Sequence, residues 1–314
     1  MSREREQQQR REGAAPHARV RGREAGRAGT GVRPFRRAGG LRLVPQPGES
    51  RTAPYANVPQ PGAAGTTGTT GRKRGAPCWL SLASGDVLAA KEFYARVLGW
   101  CHVPLLGPQG RARFLALRAG APVGSLSQAT CDLGGSAGWI PYFGVDDVDA
   151  TVGRLRERGA TVAVGPLSTE TGRLAVAAGP QEAVFGLRRR APDDRWKAGA
   201  GPVARLELRT RDIFAAAFFY GDVLDWAGTS GDCCEVEYAH GQIEVRDGLR
   251  TVAAFRDATP SGWHPCFRVA DVDLAAMAAI GWGGRVIAPP EGARDRRAAV
   301  LADREGNAFT VTAS

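Results

Sequence analysis

The sequence predicts an α+β fold made of two copies of one domain, and three observations support this. The stretch "CWLSLASGDVLAAKEFYARVLGW", from residue 78, matches "ARLELRTRDIFAAAFFYGDVLDW", which begins 126 residues later. Further along, "WIPYFGVDDVDA" matches "WHPCFRVADVDL" at an offset of 124 residues. Within each copy, a strand-like alternation is followed by helix-like spacing twice, which predicts two βαβββ units per copy. A repeat of this length is a duplicated domain rather than a short solenoid unit.

The first unit of the first copy begins with "CWLSLAS", which alternates apolar with small or polar residues as a half-buried strand does. Asp86 is suited to cap a helix, in which apolar residues follow at helical spacing until Gly99 ends it. "RFLALRA" and "APVGSLSQ" predict two strands joined around Gly120. Aromatic residues at helical spacing usually pack in the core, so we assign Phe93 and its counterpart Phe219 there.

The second unit begins with the strand "WIPYFGV". A helix over "DDVDATVGRLRERG" follows, with Asp146 or Asp147 as its cap and Gly159 as its end. The strands "TVAVGP", "RLAVAAG" and "AVFGLRR" complete the unit. Between the copies, "RRRAPDDRWKAGAGP" is polar and contains Gly and Pro, which is typical of a linker.

These elements divide the chain into a basic tail and linker at 1–76, a first domain at 77–190, a linker at 191–201 and a second domain at 202–314. Residues 1–74 hold 16 Arg and Lys against 5 Asp and Glu, whereas the remainder has a net charge of −1. Because the excess charge is confined to the tail, we do not expect the folded part to bind nucleic acid.

The tail has few apolar residues and no periodicity, so we expect it to be disordered and removable. Its arginines would also suit an arm that contacts nucleic acid or a membrane surface. A start site placed too far upstream would produce a similar extension.

The composition favours a cytoplasmic protein without a membrane partner. Nothing approaches 18 consecutive apolar residues, so no transmembrane helix is expected, and the tail lacks the apolar segment of a secretory signal. None of the six cysteines forms a CxxC pair, which favours reduced thiols in a cytoplasmic protein.

The chain resembles the vicinal oxygen chelate superfamily, which includes glyoxalase I, bleomycin-resistance proteins and extradiol dioxygenases. The resemblance rests on the capping Asp, "FYARVLGW", "WIPYFGVDDVD" and the closing strand, and it covers 77–190 and 202–314. It implies that paired βαβββ units form a curved mixed sheet around a cleft. It also implies that metal-dependent members carry their ligands on the first and last strands of the units, facing that cleft.

The resemblance implies metal-ligand positions that this chain fills with unsuitable residues. The first-strand ligand lies seven residues before the capping Asp, and the last-strand Glu falls near the end of each copy. The positions are Trp79, Ile140 and Gly186 in the first copy and Arg205, His264 and Thr310 in the second. Only His264 can bind a divalent metal, and an Arg beside it would repel the cation. We therefore expect no metal and no cofactor.

A second metal possibility is "CCEVEYAHGQIEV", which contains Cys233, Cys234 and His240. Its spacing matches no closed zinc pattern. The alternation of Glu235 and Glu237 is typical of a solvated strand face, so we do not predict a metal there.

The predicted ligand-binding residues are Trp79, Trp139, Arg205, Trp263 and His264. The tryptophans would line the clefts, and no catalytic residue is assigned. Arg205 and Arg209 could bind an anionic group bidentately, or could pair with Glu207 between them. His264 could be a ligand or a general base, or an ordinary half-buried histidine.

The leading hypothesis is a metal-free protein that binds and sequesters an aromatic metabolite or an antibiotic, as the resemblance to bleomycin-resistance proteins implies. The alternative is a metal-dependent lyase, isomerase or dioxygenase of glyoxalase type. A third class, a regulatory protein with the tail as an arm, has little support. The predicted partner is a small aromatic molecule, and the chain would be pseudo-dimeric in itself, with its oligomeric state open.

Overall fold

The computed structural model describes residues 73–314, except for 107–109, 130–137, 170–171, 180, 191–195, 197, 200, 227–231, 240 and 259–260. The prediction that the tail is disordered concerns residues 1–72, which lie outside the described residues, and so does His240.

The first half forms one eight-stranded sheet with two helices. Its strands are β1 (Pro77–Ser84), β2 (Cys101–Leu106), β3 (Ala112–Arg118), β4 (Ala121–Gln128), β5 (Gly138–Val145), β6 (Thr161–Thr169), β7 (Gly172–Ala178) and β8 (Val184–Arg189). Helix α1 (Val87–Leu98) follows β1, and helix α2 (Val148–Glu157) follows β5. The strand order is β2-β3-β4-β1-β5-β8-β7-β6, with β1 parallel to β4 and antiparallel to β5.

The second half repeats this arrangement. Its strands are β9 (Val203–Thr210), β10 (Glu235–Ala239), β11 (Gln242–Asp247), β12 (Arg250–Asp257), β13 (Gly262–Val269), β14 (Arg285–Glu291), β15 (Ala298–Ala302) and β16 (Ala308–Ala313). Helix α3 (Ile213–Val223) follows β9, and helix α4 (Val272–Gly281) follows β13. The strand order β10-β11-β12-β9-β13-β16-β15-β14 matches that of the first half strand for strand. The prediction of two copies with paired βαβββ units is therefore confirmed.

An aspartate caps each of the four helices. Asp86 accepts a hydrogen bond of 3.0 Å from the backbone N–H of Ala89, and Asp212 accepts the equivalent bond at 2.9 Å. Asp147, rather than Asp146, caps α2. Gly99 ends α1 with φ of 67°, a left-handed conformation that glycine adopts without steric cost.

The two halves share one core, to which each contributes aromatic rings. Tyr94, Trp100 and Trp139 pack against Phe267 and Phe309, with ring centroids 5.1 Å apart for Trp100 and Phe267 and 5.5 Å apart for Tyr94 and Phe309. Because three of these rings come from the first half and two from the second, neither half completes the cluster alone.

A second cluster consists of the equivalent residues of the repeat, so that three rings now come from the second half and two from the first. Tyr220, Trp226 and Trp263 pack against Phe143 and Phe185, with centroid distances of 5.2 Å for Phe143 and Trp263 and 5.1 Å for Phe185 and Tyr220. Two matching clusters related by exchange of the halves are what a two-fold symmetric dimer interface produces. The chain is therefore pseudo-dimeric in its packing.

Residues 73–76, which the sequence analysis assigned to the tail and linker, contact the second half. Arg74 forms ion pairs with Asp225 at 2.9 Å and Asp232 at 3.1 Å, and Lys73 pairs with Glu235 at 2.9 Å. Ala76 is buried. Residues 73–76 therefore belong to the folded part of the chain rather than to a linker.

Candidate functional site

Each sheet has one face that contacts the helices and the shared core, and an opposite face that we term the cleft face. In β1, Leu80 and Leu82 are fully buried towards the core, and Trp79 and Ser81 alternate with them. Since side chains alternate between the two faces of a strand, Trp79 and Ser81 lie on the cleft face. The same alternation places Arg205, Glu207 and the residues paired with them on the cleft face of the second sheet.

Aromatic and hydroxyl groups surround Trp79 on the cleft face of the first half. The Trp79 indole N–H donates to Ser125 Oγ at 3.1 Å, and the Ser81 and Ser125 hydroxyls share a hydrogen bond of 2.9 Å. Tyr142 lies directly opposite Trp79 in the register of β5 and β1. Trp196, between the halves, has its ring 6.4 Å from that of Trp79 and is 5% exposed.

Sequence reasoning missed Tyr142 and Trp196 as neighbours of Trp79. The Trp196 indole N–H donates to the Val123 carbonyl, which fixes this residue against β4. A tryptophan in a polar, Gly-containing linker has no periodicity to indicate where it packs. Tyr142 could have been found by counting two residues on from Ile140 along β5.

The first half does not fit a divalent metal. The implied last-strand ligand position is Gly186, where an added Cβ would lie 2.1 Å from the Tyr142 ring. The phenol ring therefore occupies the space that a metal-binding side chain would need. Trp79 and Ile140, at the other implied positions, supply no lone pair for a metal. Burial raises the pKa of Tyr142, which keeps the phenol neutral.

Charged groups dominate the cleft face of the second half. The buried carboxylate of Glu207 accepts from Arg205 at 2.7 Å and pairs with Arg256 at 3.2 Å. Burial alone would raise the pKa of Glu207, but the hydrogen bond from Arg205 and the nearby guanidinium charges hold it below its usual value. Glu207 is thus an ionised group whose charge is already neutralised.

His264 lies opposite Glu207 in the register of β13 and β9, as its predicted cleft position requires. Its side chain is 8% exposed, and within the described part of the chain its Nδ1 has no hydrogen-bond partner. Burial, with a smaller effect from Arg209, lowers the pKa of His264 to about 4. The imidazole is therefore neutral at pH 7.

The second half does not fit a divalent metal either. The strand neighbours of Glu207 and Cys266 are Ala254 and Thr310, which add no suitable ligand, and Glu207 is engaged by two arginines. This face also carries three guanidinium groups, which repel a cation, namely those of Arg205, Arg209 and Arg256. Among the described residues, no group of three or more His, Cys, Asp or Glu side chains could hold a metal ion.

Trp139 and Trp263 lie in the shared core, which differs from their predicted place in the clefts. They are 7% and 6% exposed, and the Trp263 indole N–H donates to the Tyr220 hydroxyl at 3.2 Å. Each directly precedes a residue that faces the cleft, Ile140 or His264, so alternation turns the tryptophan to the opposite face. Of the five predicted site residues, Trp79, Arg205 and His264 lie on cleft faces, Trp79 in one half and the other two together in the second.

The acidic groups around Cys233 and Cys234 are engaged with other partners. Glu235 pairs with Lys73, and Glu237 pairs with Arg246 at 3.0 Å. Both cysteines are buried, and neither forms a disulfide bond.

Family models match both halves of the chain. Residues 78–187 match the model described as Glyoxalase/Bleomycin resistance protein/Dioxygenase superfamily, and residues 205–312 match a Glyoxalase-like domain. These two ranges coincide with the two sheets.

Named relatives span most of the chain. The anthracycline biosynthesis protein DauV of Streptomyces sp. (strain C5) is 29% identical over 257 residues, covering 76% of this chain and 92% of its own. CFP32 of Mycobacterium bovis, which carries the name of a glyoxylase, is 28% identical over 260 residues, covering 76% and 95%.

A Mn(II)-bound glyoxalase from Novosphingobium aromaticivorans has a similar solved structure, with a TM-score of 0.52 and 18% identity. The match covers 77% of this chain and 82% of that chain, and at this identity it supports the fold alone. Among the described residues, no helix is long and apolar enough to cross a membrane.

Proposed function

Since the chain belongs to the glyoxalase/bleomycin resistance protein/dioxygenase superfamily, we propose that it binds a small aromatic molecule without a metal ion. The observation that carries this proposal is the Tyr142 ring, which occupies the space over Gly186 where a metal ligand would project. The same ring lies opposite Trp79 in the register. An aromatic surface thus replaces the metal-binding set in the first half.

The groups around Trp79 on the first cleft face suit a planar aromatic ligand. Trp79 is half-buried, so one part of its ring is held by Ser125 while another is open to a ligand. Aromatic rings bind one another in stacked or edge-to-face arrangements, worth about 0.5–1.5 kcal/mol beyond the area they bury. The name of DauV refers to anthracyclines, which contain planar fused rings, and this supports an antibiotic or a similar metabolite as the ligand.

We place this binding in a reducing, cytoplasmic location, since the described cysteines form no disulfide bond. In this proposal the protein sequesters or delivers its ligand and performs no metal-assisted step. The alternative, a metal-dependent lyase, isomerase or dioxygenase, would require three or more grouped donors, which the described residues of neither cleft face provide.

The test combines elemental analysis of the purified full-length protein with a thermal-shift screen of planar aromatic compounds, including an anthracycline. We expect no stoichiometric divalent metal, no effect of a chelator on stability, and stabilisation of about 2.7 kcal/mol when a ligand is present at 100 times its Kd. One tightly held metal per chain would instead favour the enzyme.

Two tryptophan variants separate binding from folding. We expect Trp79→Ala to weaken binding of a hit compound at least about tenfold with a small loss of stability, because the ring is only half-buried. Trp263→Ala should cost about 3–5 kcal/mol of unfolding free energy, because it opens a cavity in the core. Unchanged affinity in Trp79→Ala would refute the proposed binding surface.

A further inference from the structure

We propose that the cleft face of the second half is a separate binding site for an organic anion, such as an aromatic carboxylate, held by Arg209 and His264. This inference rests on the proposed function, since it assumes that the cleft faces bind small molecules. It adds a second site of different chemistry, because Arg205, Glu207 and Arg209 stand where the first half has Trp79, Ser81 and Ala83.

The guanidinium groups of this face exceed the carboxylates that could neutralise them. Arg205 and Arg256 share the single carboxylate of Glu207, at 2.7 and 3.2 Å. Glu244, on the neighbouring β11, is held by hydrogen bonds from Gln242 and Thr251, each at 2.9 Å.

Arg209 is the guanidinium left over. Over the described residues it forms no ion pair and no hydrogen bond. It lies beside Arg256 in the register of β9 and β12, and Glu207 on the same strand already binds two other guanidinium groups. An anion placed there would gain charge-assisted hydrogen bonds, which are roughly twice as strong as neutral ones.

His264 supplies the second observation that points to a ligand. More than nine-tenths of its side chain is buried, yet Nδ1 has no partner within the described chain. A buried polar atom without a hydrogen bond costs about 1–3 kcal/mol, so such atoms are uncommon in folded proteins. A ligand oxygen accepting from the imidazole N–H would remove that cost.

The exposed fractions of these side chains indicate the order in which a ligand would contact them. The Arg256 and Arg205 side chains are 46% and 37% exposed, whereas His264 is almost fully buried. Burial raises the pKa of the neighbouring Cys266 thiol to about 12, so this residue adds no negative charge. An anionic group would therefore meet the guanidinium groups first and the neutral imidazole last.

The experiment uses the full-length protein and two probes with the same ring system, 1-naphthoate and the neutral 1-naphthamide. Isothermal titration at low salt measures each Kd for the unaltered protein and for Arg209→Gln and His264→Asn. We expect naphthoate to bind at least about tenfold more tightly than naphthamide. Arg209→Gln should abolish this preference, and because the side chain has no described partner the variant should fold normally, as its melting temperature will show.

Arg156→Gln is the control, because Arg156 is exposed on α2 and so lies away from both cleft faces. It should leave the naphthoate preference intact. If Arg209→Gln retains the preference, or if naphthoate binds no better than naphthamide, the anion site is refuted. If the Trp79→Ala effect on neutral aromatic ligands persists in that case, the proposed function stands. If no aromatic probe binds at all, both proposals fail.

Discussion

At the scale of single residues, two equivalent tyrosines have different hydrogen-bond partners in the shared core. The Tyr94 hydroxyl donates to the buried carboxylate of Asp303 at 3.0 Å, across the two halves. The Tyr220 hydroxyl accepts from Trp263 instead. The residue equivalent to Asp303 is Gly179, which lies beside the Tyr220 hydroxyl and has no carboxylate. The duplication has therefore diverged at this pair, so the two tyrosines should contribute differently to stability.

We expect Tyr94→Phe to lower the unfolding free energy by about 1.5–3 kcal/mol, the range for hydrogen bonds to charged groups. Tyr220→Phe should cost about 0.5–1.5 kcal/mol, because it removes a bond between neutral groups. Urea unfolding of both variants gives the comparison, and the two changes delete the same single oxygen. Equal costs would mean that the Asp303 bond contributes no more than an ordinary one.

Protonation of His264 provides a second prediction at this scale. The pKa of His264 is about 4 in the folded protein, against a usual value near 6.5. Below pH 6.5 the unfolded chain therefore binds a proton that the folded chain does not, so stability falls as the pH falls towards 4. The largest loss from this group is about 3 kcal/mol.

His264→Asn should flatten the decline in unfolding free energy between pH 6.5 and 4. It should not remove the decline entirely, because burial also lowers the pKa of His102 to about 4. Denaturant unfolding at several pH values measures the slope for each variant. A slope that His264→Asn leaves unchanged would show that folding does not lower the pKa of this imidazole.

At the scale of elements, the features that the sequence predicts are those set by local chemistry. A side chain at Asp86 or Asp212 caps a helix through a bond to a backbone N–H three residues away. Such a bond depends on no distant residue, so both caps can be read from the chain. The predicted helices over the two units and their counterparts are confirmed for the same reason.

Features that depend on contacts between elements were harder to predict. Strands β5 and β13 are equivalent, and the position of Trp139 in one directly precedes that of His264 in the other. Only the register shows that the first position faces the core and the second faces the cleft. Strand β2, which contains Pro104, pairs only with β3 at the sheet edge, and no segment was assigned to it from the sequence. Proline removes a backbone donor, so it suits an edge strand but weakens the strand pattern.

Helices α2 and α4 each form an equivalent ion pair with an arginine outside the helix. Arg173 donates two bonds to Asp149 of α2, at 2.7 and 2.8 Å, and Arg297 does the same to Asp273 of α4. Both pairs are exposed, so they fix geometry more than they add stability. This contact recurs at the repeat offset, whereas the charged residues of β9 have no counterpart in β1. The cleft faces of β1 and β9 therefore differ in charge, as do the two ligands proposed for them.

At the scale of the whole molecule, the exchange of aromatic rings makes the halves depend on each other. Phe267 and Phe309 fill a cluster centred on the first half, and Phe143 and Phe185 fill the equivalent cluster of the second. Separating the halves would expose these rings to water, and burying one aromatic side chain is worth about 1.5–3 kcal/mol. The core therefore behaves as an obligate interface within one chain.

This dependence predicts how the protein responds to being cut between its halves. A protease site inserted in residues 191–195 should give, after cleavage, two fragments that remain together on size-exclusion chromatography in native buffer. Either half expressed alone should form a homodimer or aggregate rather than a folded monomer, because the pseudo-two-fold clusters allow a half to pair with its own copy. Sedimentation and urea unfolding of the isolated halves check this. A single half that unfolds cooperatively as a monomer would mean that each sheet has a sufficient core of its own, and that the shared aromatic clusters join two independent domains.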